Sequence, residues 1–323
     1  MWGVAKPQGK PAAEIATWED LKEVWGQPGT VVWVDIEDAT EEALKRLNAI
    51  IQLDDDDLEE CLTGEPRPRI DERNDYLLVV AYGVIIPQGT IELESRKLAM
   101  FRGDRFLVTI HKSPSRAIAS LRRRCEKNAG AVLSRGVDQM LYRIIDGMVD
   151  RYLDLLDQYE HELDECEERS YDPTSDGELI QDTARIRRHL IEIRRLVGGQ
   201  RGLLEPLAEG DFDDISEKLG KRFRTVRSHL LHANDRVVGL QERLGAVVQN
   251  YNTTIATRTN DIVRTLTVLT AVMMPMTLIA GVYGMNLPVW PSSDSPNSYW
   301  AVVGSMGAVG VIMLAVFRRL KWI

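Results

Sequence analysis

The feature that most constrains this chain is an uncharged stretch near its C-terminal end. No residue between Arg264 and Asp294 carries a charge, and residues 266–282 form an apolar run interrupted by a few threonines. About 20 such residues cross the hydrocarbon core of a bilayer as a helix. The sequence therefore predicts a transmembrane helix over about residues 263–284.

Small and polar residues recur along one side of this predicted helix at intervals of seven. The two rows are Asn260, Thr267, Met274 and Gly281, and Val263, Thr270, Thr277 and Gly284. Rows with this spacing form the seam of a left-handed bundle and face neighbouring helices or a central axis. The other side carries Leu269, Val272, Met276 and Ile279, which suit lipid. Helix packing alone is the simpler interpretation of such a seam.

The predicted helix ends in a short motif, and a second apolar run follows it. The motif consists of Tyr283, Gly284, Met285 and Asn286. A second span is predicted at about residues 299–318, before a basic tail that contains Trp322. Together with the preceding Met274-Pro275, these features resemble the CorA family of divalent-cation channels, in which Gly-Met-Asn closes the first of two C-terminal spans. Weaker similarity extends back to about Val31.

The resemblance implies both a function and a set of residues. Five identical subunits would surround one pore in the cytoplasmic membrane and take up Mg²⁺, with Co²⁺ and Ni²⁺ as further candidates. The four motif residues would be the selectivity filter, and Asn286 would bind the ion. The expected pore-lining and gating residues are Asn260, Val263, Leu266, Thr267, Thr270, Met274, Thr277 and Gly281.

Neutral oxygen atoms suit this ion. Mg²⁺ releases its waters reluctantly, so a channel can select it by hydrogen bonding to the hydration shell. Met274, Leu266 and Val263 could close such a pore by excluding water. Many family members carry an acid just after the first span, whereas here Asp294 is the only acid of the loop and a further candidate ligand.

The cytoplasmic Mg²⁺ sensor of the family uses carboxylates from neighbouring subunits. One of them aligns with Glu60, but its partner aligns with Thr225, with Ser228 nearby where another acid is common. Gln249 stands where an aspartate often occurs at the inner mouth. We therefore expect weak regulation by cytoplasmic Mg²⁺ and no organic cofactor.

Two other functions stay open at this point. A ZntB-like transporter would couple Zn²⁺ to protons on the same scaffold, although the Met of Gly-Met-Asn favours magnesium. A membrane anchor or signalling protein would keep the fold and transport no ion. The chain shows no nucleophile and base pattern, phosphate loop or metalloprotease motif, so an enzyme is not expected.

Charge and cysteine content indicate the compartment. The formal net charge of −9 argues against a nucleic-acid partner. Basic residues flank both spans and are missing from the loop at 287–298, so both termini are predicted to be cytoplasmic. Three widely separated cysteines, Cys61, Cys125 and Cys166, are predicted to be free thiols.

The rest of the chain predicts an α+β protein in four parts. These are an α/β layer domain at 1–136, a helical hairpin at 137–212, a stalk helix at 213–262 and the transmembrane hairpin at 263–323. In the first part, residues up to about 30 are expected to be loosely structured. Strands are predicted at 31–36, 76–86 and 98–110, and a helix at 40–51.

Charge patterns add detail to the helical parts. The acidic run 54–57 is predicted to be a solvated helix start, because a calcium loop would space its ligands around a glycine. An acidic segment at 154–168 and an arginine-rich one at 185–201 predict two helices paired along their length. One helix is expected from about 213 to 283. His229 and His232 could bind a metal, but a structural or solvent-facing role is favoured.

Overall fold

The computed structural model describes residues 1–63, 67–172, 177–210, 212, 217–285 and 297–322. The chain divides into two compact units. The first unit comprises Met1–Glu167 and Gly177–Ala246, and the second comprises Glu168–Asp176 and Val247–Ile323. Asn286 and Asp294, both predicted to contact the ion, lie outside the described residues.

A mixed sheet forms the centre of the first unit. Its described strands are β1 (Trp2–Lys6), β2 (Ala13–Ile15), β3 (Val31–Glu37), β4 (Arg69–Glu72), β5 (Leu77–Ile85), β6 (Glu94–Arg102) and β7 (Phe106–His111). Their order in the sheet is β2-β1-β3-β7-β6-β5-β4. Only β3 and β7 pair in parallel among these strands. The predicted strands are confirmed, and the stretch at 98–110 is the end of β6, a turn and most of β7.

The expectation of a loosely structured N-terminal segment was wrong. β1 pairs with both β2 and β3, and helix α1 (Trp18–Trp25) begins at Thr17 with a complete capping box. The Trp2 ring packs edge-on against Trp33 at 5.2 Å and its nitrogen donates to Glu14. Pro7 and Pro11 lie in the turn between β1 and β2, and Pro28 lies in the turn after α1, so none of them removes a ladder hydrogen bond.

The other described helices follow α1 in the chain. They are α2 (Glu41–Ile51), α3 (Asp55–Thr63), α4 (Arg116–Leu133), α5 (Val137–Ser170), α6 (Glu178–Glu209), α7 (Glu217–Tyr283) and α8 (Ser298–Arg319). α4 packs against β1, and α6 packs against β4 and β5. α4 was not predicted, whereas α2 begins at Thr40 as expected, with the Thr40 hydroxyl accepting from the Ala43 amide.

The predicted charge pairing within the helical hairpin holds at one point and otherwise involves another helix. Arg185 of α6 contacts Glu162 of α5 at 2.9 Å. Other acids of α5 bind arginines of α7 instead, because α7 also packs along this acidic side. These contacts join Arg236 to Asp157 and Glu160, and Arg243 to Asp164 and Glu167. The expected pairing between α5 and α6 thus occurs at Arg185, and α7 is a second partner of the acidic segment that was not expected.

The second unit contains the two apolar helices. α7 runs for 67 residues, on the order of 100 Å at 1.5 Å per residue, and continues through Pro275. α8 follows, and the guanidinium of Arg264 lies over the Trp322 ring at 5.8 Å. Both α7 and the stretch Tyr299–Arg319 are long and apolar enough to cross a membrane.

Candidate ion pathway and regulatory residues

The described seam residues lie on α7, except Gly284, which directly follows its end. The hydroxyl groups of Thr267, Thr270 and Thr277 donate hydrogen bonds to the carbonyls of Val263, Leu266 and Met273, each at 2.8 Å. Threonine has a single hydroxyl hydrogen and two lone pairs. Because each hydrogen is used within the helix, each oxygen can only accept from any further group. The seam thus offers three neutral acceptors in the predicted span.

Three large apolar residues predicted to line or gate the pore are uncovered in the single chain. The exposed fraction is 71% for Met274, 60% for Leu266 and 55% for Val263. An open groove of about 930 Å³ follows this part of α7, and Thr270, Met274, Thr277 and Gly281 are among its lining residues. Leu269, predicted to face lipid, lines it as well. The threonine hydroxyls are thus accompanied by large apolar side chains that could narrow a pore.

The C-terminal end of α7 contains Gly281 and is followed directly by Gly284. A side chain at Gly281 would meet nothing within 4 Å in this chain. The helix ends at Tyr283, and the Gly284 and Met285 amides close its last turn by donating to Ala280 and Val282. The predicted filter is therefore described as far as Met285, directly after the end of the helix.

The predicted sensor residue Glu60 already has partners within the chain. Both oxygens of its carboxylate accept from Arg69, and the ammonium of Lys97 donates to its backbone carbonyl. The Arg69 hydrogen bond, with Arg69 and Lys97 charge, lowers the pKa of Glu60 despite partial burial. A cation at this carboxylate would have to compete with Arg69.

The acidic run before Glu60 is only partly solvated, which corrects the prediction made for it. Asp57 is buried, accepts from Arg73 at 2.7 and 2.9 Å, and accepts from the Tyr76 hydroxyl at 2.7 Å. Burial opposes its charge, but Arg73 and Tyr76 outweigh it and lower the pKa of Asp57. Glu59, next to Glu60 in the sequence, is exposed. A further ion could therefore reach its carboxylate.

The neutral residues that stand at the other sensor positions are exposed. Thr225 and Ser228 lie on α7, and the Thr225 hydroxyl makes a 3.5 Å hydrogen bond to the Lys221 carbonyl. Gln249 is exposed further along the same helix. These positions supply no carboxylate for a divalent ion.

The structure brings together one group of possible metal ligands that the sequence did not suggest. Single ligand atoms of Asp146, Asp150 and His229 lie within 4.8 Å of one another, from α5 and α7. Burial, with repulsion from Asp146, raises the pKa of Asp150. His232, paired with His229 in the sequence-based hypothesis, is exposed and outside this group. His229 was a candidate ligand from the sequence, but nothing there placed it near the two acids, which lie four residues apart on α5.

The fold and these residues define a membrane protein in which an α/β domain is joined by one long helix to a two-helix hairpin. The CorA-like Mg²⁺ transporter protein family matches residues 28–319. This match covers most of the chain, so the chain belongs to that family.

Individual relatives agree with this assignment. The cobalt/magnesium transport protein CorA of Thermotoga maritima is 27% identical over 82% of this chain and 76% of its own length. The structure of the CorA magnesium transporter from Methanocaldococcus jannaschii has a TM-score of 0.85, with 23% identity over 100% of this chain and 99% of that one. The zinc transport protein ZntB of Vibrio parahaemolyticus is 20% identical over 81% of this chain and 80% of its own length. The zinc alternative is thus the weaker one.

Proposed function

We propose that this chain forms a homopentameric channel that admits Mg²⁺ to the cytoplasm, with Co²⁺ and Ni²⁺ as further substrates. The filter is the Gly-Met-Asn ring, in which Asn286 accepts hydrogen bonds from the hydrated ion. The observation that carries the proposal is the orientation of hydrogen bonding along α7, where Thr267, Thr270 and Thr277 give their hydrogens to the helix.

Hydration chemistry makes this arrangement suitable for Mg²⁺. Waters held by the ion present hydrogens outwards and bind to acceptors, and the ion loses those waters reluctantly. A neutral acceptor stabilises the hydrated ion less than a carboxylate would, so the ion can also leave. A row of threonine oxygens therefore favours passage of a hydrated cation over tight binding.

The uncovered seam supports an assembly of several copies. In lipid, a polar row on one helix is unfavourable unless it faces protein or water. Copies arranged around an axis would turn Thr270 and Thr277 toward a shared aqueous path and leave Leu269 toward lipid. The same assembly would bring Met274 and Leu266 of each copy together as rings that exclude water.

The orientation in the membrane and the membrane potential together explain the direction of uptake. Arg258 and Arg264 precede the first span, and Arg318 and Arg319 follow the second, which favours cytoplasmic ends. A divalent cation that enters a negative-inside cell gains about 4.6 kcal/mol per 100 mV, at ~2.3 kcal/mol per charge. Uptake then needs no coupled fuel.

The test is ion flux into proteoliposomes that contain the full chain. We expect Mg²⁺ uptake that follows the membrane potential and is unchanged by a pH gradient. Zn²⁺ uptake that requires a pH gradient would favour the proton-coupled alternative, and absence of any flux would favour an anchor. Each of these two results would overturn the proposal.

A pair of variants tests the acceptor row itself. Thr270→Val keeps the shape of the side chain and removes the oxygen, so Mg²⁺ flux should fall. Thr265→Val is the matched control, because the Thr265 hydroxyl also donates within the helix, to the Asp261 carbonyl at 2.9 Å, but lies outside the two rows. Equal flux in both variants would remove the role of the threonine oxygens.

A further inference from the structure

A group of cationic side chains in the first unit contrasts with the acidic balance of the chain. It consists of Arg124 on α4, Arg135 between α4 and α5, Arg143 on α5, and Arg222 on α7, and is called the basic cluster below. The formal net charge of the chain is −9. A concentration of positive charge against that background requires a physical reason.

Two clefts adjoin at this cluster. One has a volume of about 490 Å³ and is lined by Arg135, Gln139 and Arg222, together with Asp138, Lys218 and Leu219. The other has a volume of about 170 Å³, and Arg124, Arg135, Gln139 and Arg143 are among its lining residues. Because Arg135 and Gln139 line both, the clefts are neighbours and the cations of the cluster lie around them.

The positive charges are not neutralised within the part of the chain that the structure describes. No ion pair of Arg124, Arg135 or Arg143 occurs there. Asp138 lines the larger cleft, but its carboxylate accepts from the buried guanidinium of Arg102 at 2.7 Å. Burial lowers the pKa of Arg143, and the charges of Arg124, Arg135 and Arg222 lower it further.

Gln139 adds a donor without a partner at the point where the clefts meet. Its Oε1 atom accepts from the Arg222 guanidinium at 2.6 Å, which fixes the side-chain amide. Its Nε2 atom is buried and has no hydrogen-bond partner among the described residues. A buried donor without an acceptor is energetically unfavourable. An acceptor supplied by a bound anion would remove that cost.

We propose that the two clefts form a binding site for an oligophosphate, a linear anion with at least two phosphate groups. Guanidinium groups match phosphate oxygens with paired hydrogen bonds, and Gln139 adds a neutral donor. One phosphate would engage only part of the cluster, whereas a chain of phosphates can reach the cations of both clefts. The site lies outside the ion pathway proposed above.

Binding to the full chain in neutral-lipid nanodiscs tests the proposal by calorimetry with inorganic tripolyphosphate. The buffer contains no divalent metal, because chelation of Mg²⁺ would itself release heat. We expect tripolyphosphate to bind more tightly than orthophosphate at the same ionic strength. Arg135→Ala should weaken binding about tenfold or more, since charge-assisted hydrogen bonds contribute roughly 1.5–3 kcal/mol.

Matched variants separate a built site from general charge attraction. Arg123→Ala is the control, because Arg123 is an exposed arginine of α4 that lines neither cleft. Gln139→Glu replaces the donor by an acid and should abolish binding. Arg124→Ala, a change at an exposed position, keeps the test available if Arg143→Ala or Gln139→Glu lowers the unfolding midpoint.

Three outcomes would overturn the proposed oligophosphate site. Equal losses in Arg123→Ala and Arg135→Ala would overturn the site, as would equal affinity for orthophosphate and tripolyphosphate. A change of oligomeric state in Arg135→Ala without phosphate binding by the wild type would assign the cluster to contact with another copy. Arg222 lies about 40 residues before the predicted span, on the order of 60 Å along α7, so a lipid headgroup in the bilayer cannot reach the clefts and the ligand is a soluble oligophosphate.

Discussion

The two units of this protein bury their apolar residues in different ways. In the first unit, Trp33, Phe101 and Leu107 are completely buried within one chain. In the second, Leu266 and Leu269 of α7 are 60% and 59% exposed. The first unit thus has a core of its own, whereas the apolar side chains of the first span are uncovered in the single chain. A single chain is therefore enough to bury the core of the first unit. The exposed residues of the span would be covered only in the proposed assembly.

The largest expected effect is at the outer end of the span. We expect Asn286→Ala to abolish Mg²⁺ flux while the protein still assembles and inserts, because the filter loses its side-chain acceptor. Flux in proteoliposomes and size-exclusion chromatography measure the two properties. Asn252→Ala, at an exposed position of α7 outside the filter, is the matched control. Near-normal flux in a correctly assembled Asn286→Ala channel would refute the selectivity role.

The second prediction tests the comparison between the units directly. Leu107→Ala should lower the free energy of unfolding by about 2–5 kcal/mol, because it leaves a cavity in a closed core. Leu269→Ala should cost much less, since lipid can fill the space. Thermal unfolding of the full chain in detergent, followed by circular dichroism, gives both midpoints. Equal shifts would mean that Leu269 is packed against protein in the assembly.

Periodic local patterns were enough to predict much of the fold. The helix α7, the Thr40 start of α2 and the apolar strand β3 depend on neighbours in sequence, and the structure confirms them. Contacts between distant segments were not predictable in the same way. The pairing of β1 with β3 and the binding of α5 acids by Arg236 and Arg243 depend on which elements become neighbours in space.

The same distinction between local patterns and distant contacts applies to the candidate sites. The acceptor row of α7 could be found from spacing alone, because one helix supplies it. The group formed by Asp146, Asp150 and His229 joins two helices and became visible only in the structure. Glu60 was found by alignment, but its occupation by Arg69 was not, since β4 supplies that arginine.

The third prediction concerns closure of the pore within the membrane. If Met274 and Leu266 form water-excluding rings, Met274→Thr and Leu266→Thr should each raise the resting leak, because a wetted constriction conducts. Mg²⁺ flux into proteoliposomes and single-channel recording measure the leak. Val272→Thr, on the side assigned to lipid, is the control. An unchanged leak in both ring variants would place the gate elsewhere on α7, for example at Asn260.

The fourth prediction returns to the first unit and its regulation. Wild type should close only weakly as internal Mg²⁺ rises, because Thr225 supplies no charge and Arg69 holds Glu60. Thr225→Asp should shift closure to lower Mg²⁺. Flux and protease protection of α7 during a Mg²⁺ titration measure the response.

Two further variants locate the sensor if wild type responds sharply. Persistence of that response in Glu60→Ala would contradict the aligned site. Its loss in Asp150→Asn would instead assign regulation to the group with Asp146 and His229, which are already close in the single chain.

The smallest expected effect concerns a buried pair in the sheet. Nε2 of His111 lies 3.2 Å from the Asp35 carboxylate, and Nδ1 lies 2.7 Å from the Ser113 carbonyl. Both neighbours are acceptors, so only the protonated ring can donate to both. Burial works against that charge, but Asp35, the Ser113 carbonyl and Glu37 outweigh it and raise the pKa of His111 above its ordinary 6.5.

The sign of the pH dependence follows from this raised pKa. A group that binds its proton more tightly in the folded state adds stability that is fully present below the unfolded pKa and is lost as pH rises through the folded one. His111→Gln removes the titration. The free energy of unfolding of wild type relative to this variant should therefore fall from pH 6 to pH 9, by on the order of 1 kcal/mol. His232→Gln, at an exposed position, should show no such trend, and the same trend in both variants would exclude the buried pair as its cause.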